Sequence, residues 1–164
     1  MMQFTLFMLF LVLLRIGELI YAKHNEKWLL QNGAVEYGQK HYPLIVALHT
    51  LFFVSLIVEY LVRETAPFNG LLLLLYLLLL ALKVWVLATL GKFWNTKIYR
   101  IQHFPTVKKG PYRYIKHPNY LIVIGEIALI PLVFHLYFTA ILFSVLNGFV
   151  LYIRIKEENR ALAL

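Results

Sequence analysis

Residues 110–120 read Gly-Pro-Tyr-Arg-Tyr-Ile-Lys-His-Pro-Asn-Tyr, and residues 154–162 read Arg-Ile-Lys-Glu-Glu-Asn-Arg-Ala-Leu. The first stretch offers the imidazole of His117 and the rings of Tyr112, Tyr114 and Tyr120 among basic side chains. Aromatic faces attract cations, a sulfonium included. Pro111 and Pro118 stiffen the stretch, Gly110 allows a tight turn, and Pro118 suits the first turn of a following helix. These features fit a cofactor clamp, and they fit equally well a snorkelling loop that binds lipid headgroups. Upstream of the second stretch, Asn147, Leu151, Arg154 and Glu158 fall at i, i+4, i+7 and i+11, so they make one helical stripe. Arg154 and Glu158 stand one turn apart; as a surface pair they contribute only a few tenths of a kcal/mol. A polar stripe close to the 107–120 loop points instead to a site.

Other chemistries lack their parts. No Gly-x-Gly-x-x-Gly and no phosphate-binding P-loop are present. No His-Glu-x-x-His occurs, and aspartate is absent, so a hydrolytic metal site has no support. Ser55 and Ser144 lie in apolar runs without a histidine close in sequence, which argues against a serine triad. The chain has no cysteine, which excludes disulfides, thiolate catalysis and Cys-ligated metal.

The elements that must carry these residues are membrane-grade. Hydrophobic residues make up 61% of the 164, and charged residues 15%, against about 25% in a soluble domain. The net charge of +8 sits in loops between apolar runs, which excludes a nucleic-acid partner and implies membrane lipids. Gln3–Ala22, Tyr42–Val62 and Pro67–Leu90 each approach the roughly 20 residues that a spanning helix needs. The first lacks a basic leader and a cleavage site, so it is expected to stay as a span. The run Leu121–Ile153, 33 residues, is too long for one span, and Pro131 and His135 mark a break. It is therefore split into a hairpin, Pro118–Val133 and Tyr137–Ile155. The expectation is an all-α, polytopic membrane protein of five helices, the last two forming a hairpin, with the N-terminus outside and the C-terminus cytosolic. That arrangement places thirteen basic residues inside and only Arg63 outside. Residues 1–164 form one domain, with 1–90 as a three-helix, substrate-side part and 91–164 as loop, hairpin and tail. Residues 23–41 read as an interfacial helix.

Charges inside spans should face a protein interior or a cavity. Arg15 and Glu18 are three apart and read as an internal ion pair or as a cavity wall. Lys83 needs a partner, and Glu126 is one candidate. Glu126 shares a helical face with Asn119. Glu59, near the outer end, reads as solvated.

The two stretches, separated by an apolar hairpin, resemble the isoprenylcysteine carboxyl methyltransferase family over about residues 103–162. The N-terminal part, with Arg-Ile-Gly-Glu-Leu-Ile and the 23–42 loop, is similar to a bacterial branch that includes alkylpyrone O-methyltransferases. The resemblance implies S-adenosylmethionine as methyl donor on the cytosolic side of a bacterial cell membrane. It also implies O-methylation of a carboxylate or acidic enol on a lipophilic, prenylcysteine-like or alkylpyrone-like substrate. By position, Phe104, Pro105, Thr106 and Val107 line the cofactor, Tyr112 contacts it, and His117, Pro118, Asn119 and Tyr120 wrap it. Glu158 holds a polar end of it, and Arg154 faces the substrate's anionic oxygen; Asn147 and Glu126 join Arg154 as substrate residues. Two departures stand out: Lys156-Glu157 occupies the family's usual basic pair, and Asn159 replaces the second acid of its doublet. Many relatives also continue beyond the position of Leu164, so shielding of the cofactor falls to the 23–41 loop or to a second subunit; lipid-facing leucines permit a homodimer. Two alternatives are an NADPH-dependent reductase of the sterol type, which shares a His-Pro-Asn-Tyr loop, and a non-catalytic membrane protein.

Overall fold

The computed structural model describes residues 1–63, 67–102 and 104–162. Five helices alternate in direction: α1 Met2–Gln31, α2 Tyr42–Val62, α3 Gly70–Leu90, α4 Pro118–Leu132 and α5 Tyr137–Leu162. Among the described residues, four are long and apolar enough to cross a membrane, and α4, with 15 residues, is the short one. The protein is an integral membrane protein. Its outer faces carry exposed leucines such as Leu71, Leu74 and Leu78, which suit lipid.

Local chemistry sets the helix ends. Asn69 caps α3, its side-chain oxygen accepting from the Leu71 and Leu72 amides, both at 3.1 Å. Pro131 and a left-handed His135 (φ 54°) turn the chain between α4 and α5, as the proline and polar residue lead one to expect. The turn packs at the end marked by Phe4, Tyr60 and Asn69: Phe134 meets the rings of Phe4 and Tyr60, and the Asn69 amide donates to the Val133 carbonyl at 2.9 Å. Glu59 belongs to this end too, but it is not solvated. Its carboxylate accepts from the Phe138 and Thr139 amides at 3.1 and 2.7 Å and pairs with Arg63 at 3.2 Å. The free amides at the start of α5 need an acceptor, and a carboxylate suits a helix N-terminus.

Two further expectations change. The fold is not purely helical: β1 Val35–Tyr37 and β2 Ile98–Arg100 pair antiparallel, with Glu36 opposite Tyr99. The segment 23–41 is not one interfacial helix. Nothing between Ala22 and Gln31 breaks a helix, so α1 simply continues out of its apolar part. It stops before Gly33, which takes φ 78°, and the chain then enters β1.

Buried charges bind the helices together. Lys83 on α3 pairs with Glu18 on α1 and, at 2.8 Å, with Glu126 on α4; Arg15 holds Glu18 at 2.8 Å. Two cations face two carboxylates, so the cluster is formally neutral. Removing one partner of a buried pair leaves a desolvated charge and costs about 3–5 kcal/mol. Lys83→Met is therefore expected to lower unfolding stability in detergent micelles by about that amount. Adding Glu126→Met should recover part of the loss, because Glu18 keeps Arg15. Equal stability of Lys83→Met and the unaltered protein in a denaturant titration contradicts this.

Candidate functional site

At the opposite end of the bundle, polar side chains fasten the 91–100 segment to α1. The Asn25 amide donates to the carbonyls of Gly91 and Trp94 at 3.1 and 2.8 Å, and the Asn95 amide donates to the Ala22 carbonyl at 2.8 Å. Lys97 pairs with Glu26 at 2.9 Å, and the Tyr99 hydroxyl donates to both Glu26 and Glu36. The hydrogen bond to Glu26 holds the Lys97 ammonium above the usual range, so this tie stays charged. The 110–113 turn packs on α3: a Cβ at Gly110 (φ 51°) would stand 2.8 Å from the Thr89 hydroxyl, so only glycine fits.

Four side chains of the two sequence motifs meet at Tyr120. Its hydroxyl donates to Glu158 and accepts from the Arg154 Nε at 3.0 Å. The Arg154 guanidinium lies over the Tyr120 ring, 5.5 Å from its centre, and an Nη donates to the Thr96 carbonyl at 2.7 Å. The His117 ring stacks on Tyr120 with centroids 5.2 Å apart. Its Nε2 lies 3.3 Å from the Asn159 side-chain oxygen, which can only accept, and its Nδ1 lies 3.5 Å from Glu158. Both ring nitrogens therefore face acceptors, the arrangement of an imidazolium. The hydrogen bond to Glu158 accordingly raises the His117 pKa above 6.5 despite the opposing effect of burial. Burial pushes the Tyr112 phenol up, with help from Glu158, so it stays a neutral donor.

Two compartments meet at Arg154. An open groove of about 740 Å³ is lined by Phe104, Pro105, Thr106, Val107, Tyr112 and Glu158, with Leu29 and Leu162 closing it. It narrows into a cavity of about 110 Å³ walled by Trp94, Arg100, His117, Asn119, Tyr120 and Arg154. The buried polar atoms without a partner among the described residues are Trp94 Nε1, Arg100 Nε and Asn119 Oδ1. All three belong to that wall. A cavity of about 50 Å³ adjoins the narrow one, sharing Trp94, Asn95, Asn119, Tyr120 and Arg154, and is lined among the helices by Arg15, Glu18, His49, Lys83 and Asn147.

The candidate residues thus gather around one place, with two exceptions. Pro118 is buried at the start of α4 and lines neither the groove nor the narrow cavity. Glu126 faces Lys83 and lines a deeper cavity of about 40 Å³ that Arg154 does not reach. Trp94, Asn95, Lys97, Tyr99 and Arg100 line the site without having been singled out from the sequence. The charge of the 91–117 loop was their one signal, since no spacing marks them. Leu29 stands where the expectation of a shielding 23–41 segment would put a side chain.

The sequence pattern of the isoprenylcysteine carboxyl methyltransferase family matches residues 71–164. The chain belongs to this family. A Bacillus subtilis protein, YpbQ, described as uncharacterized, is 42% identical over 162 residues, covering 98% of this chain and 96% of its own. An uncharacterized protein of Haemophilus influenzae is 27% identical over 156 residues, covering 92% and 89%. No solved structure matches. Family membership points to a membrane methyltransferase, and members use S-adenosylmethionine as methyl donor. The residues present fit that molecule. Trp94, Arg100 and Asn119 offer two unspent donors and one unspent acceptor to its amino-acid and nucleoside groups, and Tyr112, Tyr120 and Glu158 offer ring faces and a negative charge to its cationic parts.

The His117–Glu158 contact sets a pH dependence. A raised folded pKa gives a contribution that is complete below about 6.5 and is lost as pH rises through the folded value. Thermal unfolding in detergent should therefore show stability falling above that pH. His117→Asn should flatten the fall, and an unchanged slope in the variant contradicts the pairing.

Proposed function

We propose that this protein transfers the methyl group of S-adenosylmethionine to a carboxylate or acidic enol oxygen of a lipophilic acceptor, at the cytoplasmic face of the membrane. When bound, that donor supplies a methyl carbon on a positively charged sulfur, passed to the oxygen without redox change and without a proton moving. The observation that carries this reading is that Arg154, with Trp94, Asn119 and Tyr120, lines both the narrow cavity beside the groove and the cavity among the apolar helices. Trp94, Arg100 and Asn119 in the narrow cavity would hold the donor's polar groups, and Glu158 would hold one of its cationic groups.

Arg154 has the remaining work. A guanidinium carries five N–H donors; Tyr120 and Thr96 take two, which leaves three for an acceptor anion. Its plane matches a pair of oxygens. Because the acceptor is already an anion near neutral pH, no general base is required. The chain's task is to hold that oxygen in line with the donor's methyl and to strip it of water. The apolar helices on the acceptor side of Arg154 provide the dry wall.

A lipid chain would lie between two helices. Between α1 and α3 lies an apolar groove of about 410 Å³, lined by Phe10, Leu13, Gly17, Leu80, Val84 and Leu87, with Glu18 and Lys83 at its floor. Glu18 and Lys83 also line the cavity beneath Arg154. An acceptor tail can therefore stay in the hydrocarbon while its head reaches the reacting end. The basic residues of the 91–117 loop and the tail lie at this end, which supports a cytoplasmic site.

Labelled-methyl transfer to extracted bacterial lipids tests the reading. Label should enter an organic-soluble product with the purified protein. Arg154→Ala should cut turnover about 100-fold while S-adenosylhomocysteine binding, read by calorimetry, changes far less. Glu158→Gln should instead weaken that binding about tenfold. Binding of NADPH in place of S-adenosylhomocysteine, or no labelled lipid, overturns the proposal.

A further inference from the structure

The cavity beneath Arg154 contains more recognition chemistry than a single anion needs. His49 and Asn147 line it together with Arg154. The His49 Nδ1 lies 2.8 Å from the Ile45 carbonyl, which can only accept, so Nδ1 carries the proton. That leaves Nε2 as the ring's one free site; in the neutral tautomer it is a bare acceptor. Asn147 is 2% exposed and lines the same cavity. A buried amide at the level of apolar helices is costly unless something satisfies it. The other charges in the wall are already matched: Arg15 holds Glu18, and Lys83 holds Glu18 and Glu126. Besides Trp94 Nε1 and Asn119 Oδ1, which this cavity shares with the narrow one, the groups left with capacity are Arg154, His49 and Asn147.

Resting on the methyl-transfer reading above, we propose that His49 and Asn147 bind a second polar group of the acceptor's head. The acceptor is then a single-chain amphiphile with a compact head bearing two functions: an anionic oxygen for Arg154, and a hydroxyl-like group that donates to His49 and accepts from Asn147. The cavity, about 50 Å³, suits a compact head. The α1–α3 groove, whose floor is the same Glu18–Lys83 pair, takes one chain. A plain fatty acid would satisfy Arg154 and leave the imidazole and the amide unpaired, which is how such a site rejects the simpler molecule.

Two probes that differ by one hydroxyl test this directly. Hexadecanoate and 3-hydroxyhexadecanoate are titrated into the detergent-purified protein, and S-adenosylhomocysteine is titrated separately. The hydroxylated probe should bind about tenfold tighter than the plain one. His49→Phe and Asn147→Ala should each reduce that ratio to about twofold, and His49→Gln, which keeps an acceptor, should retain most of it. A structural lesion would weaken both probes together and leave the ratio intact. Equal affinities in the unaltered protein, no binding of either probe, or an unchanged ratio in His49→Phe and Asn147→Ala overturns the proposal. Failure of S-adenosylhomocysteine to bind bears on the donor alone, so the two failures are distinguishable.

Discussion

A phenol hydroxyl that cannot reach bulk water must find both a donor and an acceptor, and at Tyr120 it finds Arg154 and Glu158. The rest of the site hangs from that junction. Tyr120 stands in the first turn of α4, and Arg154 and Glu158 stand on α5, so the contact draws the end of the last helix onto the loop that precedes the hairpin. Arg154 extends the tie to the 91–100 segment through the Thr96 carbonyl, and His117 closes it against Glu158 and Asn159.

The same rule governs the lipid level. Charge is tolerated there only where it is matched, and the Arg15–Glu18–Lys83–Glu126 cluster is matched one for one. That neutrality makes the cluster a suitable floor: it offers no free charge to compete with Arg154. The molecule thus brings two environments together at Trp94, Asn95, Asn119, Tyr120 and Arg154. Toward the aqueous end lie a basic loop and unspent hydrogen-bonding atoms. Toward the bilayer lie apolar walls, a groove between α1 and α3, and a small polar pocket.

Much of this was legible in the sequence because the relevant signals are local. Helix α2 follows from one apolar run entered through Pro43, and the α4–α5 turn follows from Pro131 and His135. The 147–158 stripe follows from helical spacing, and it brings Asn147 and Arg154 to one cavity. What was not legible depends on contacts distant in sequence. The short β1–β2 pair joins residues more than sixty apart, and its two segments are three residues each, too brief for an alternation to register. Trp94 sits in a loop and Arg100 ends β2; the path of that segment is set by Asn25 and Asn95, and nothing in its spacing foretells it. The continuity of α1 to Gln31 is not legible because the change from apolar to charged residues at Lys23 suggests a separate interfacial helix, whereas it marks only the end of the apolar environment. Glu59 was misread for a related reason: its position near the end of a span suggested water, but the unsatisfied amides of α5 claimed it first.

Ultraviolet cross-linking of radiolabelled S-adenosylmethionine, followed by peptide mapping, tests the central claim most directly. The account predicts label in peptides spanning residues 94–120 or 154–162, displaced by excess S-adenosylhomocysteine. Label confined to α1, α2 or the α4–α5 turn, or label that S-adenosylhomocysteine does not displace, would contradict it.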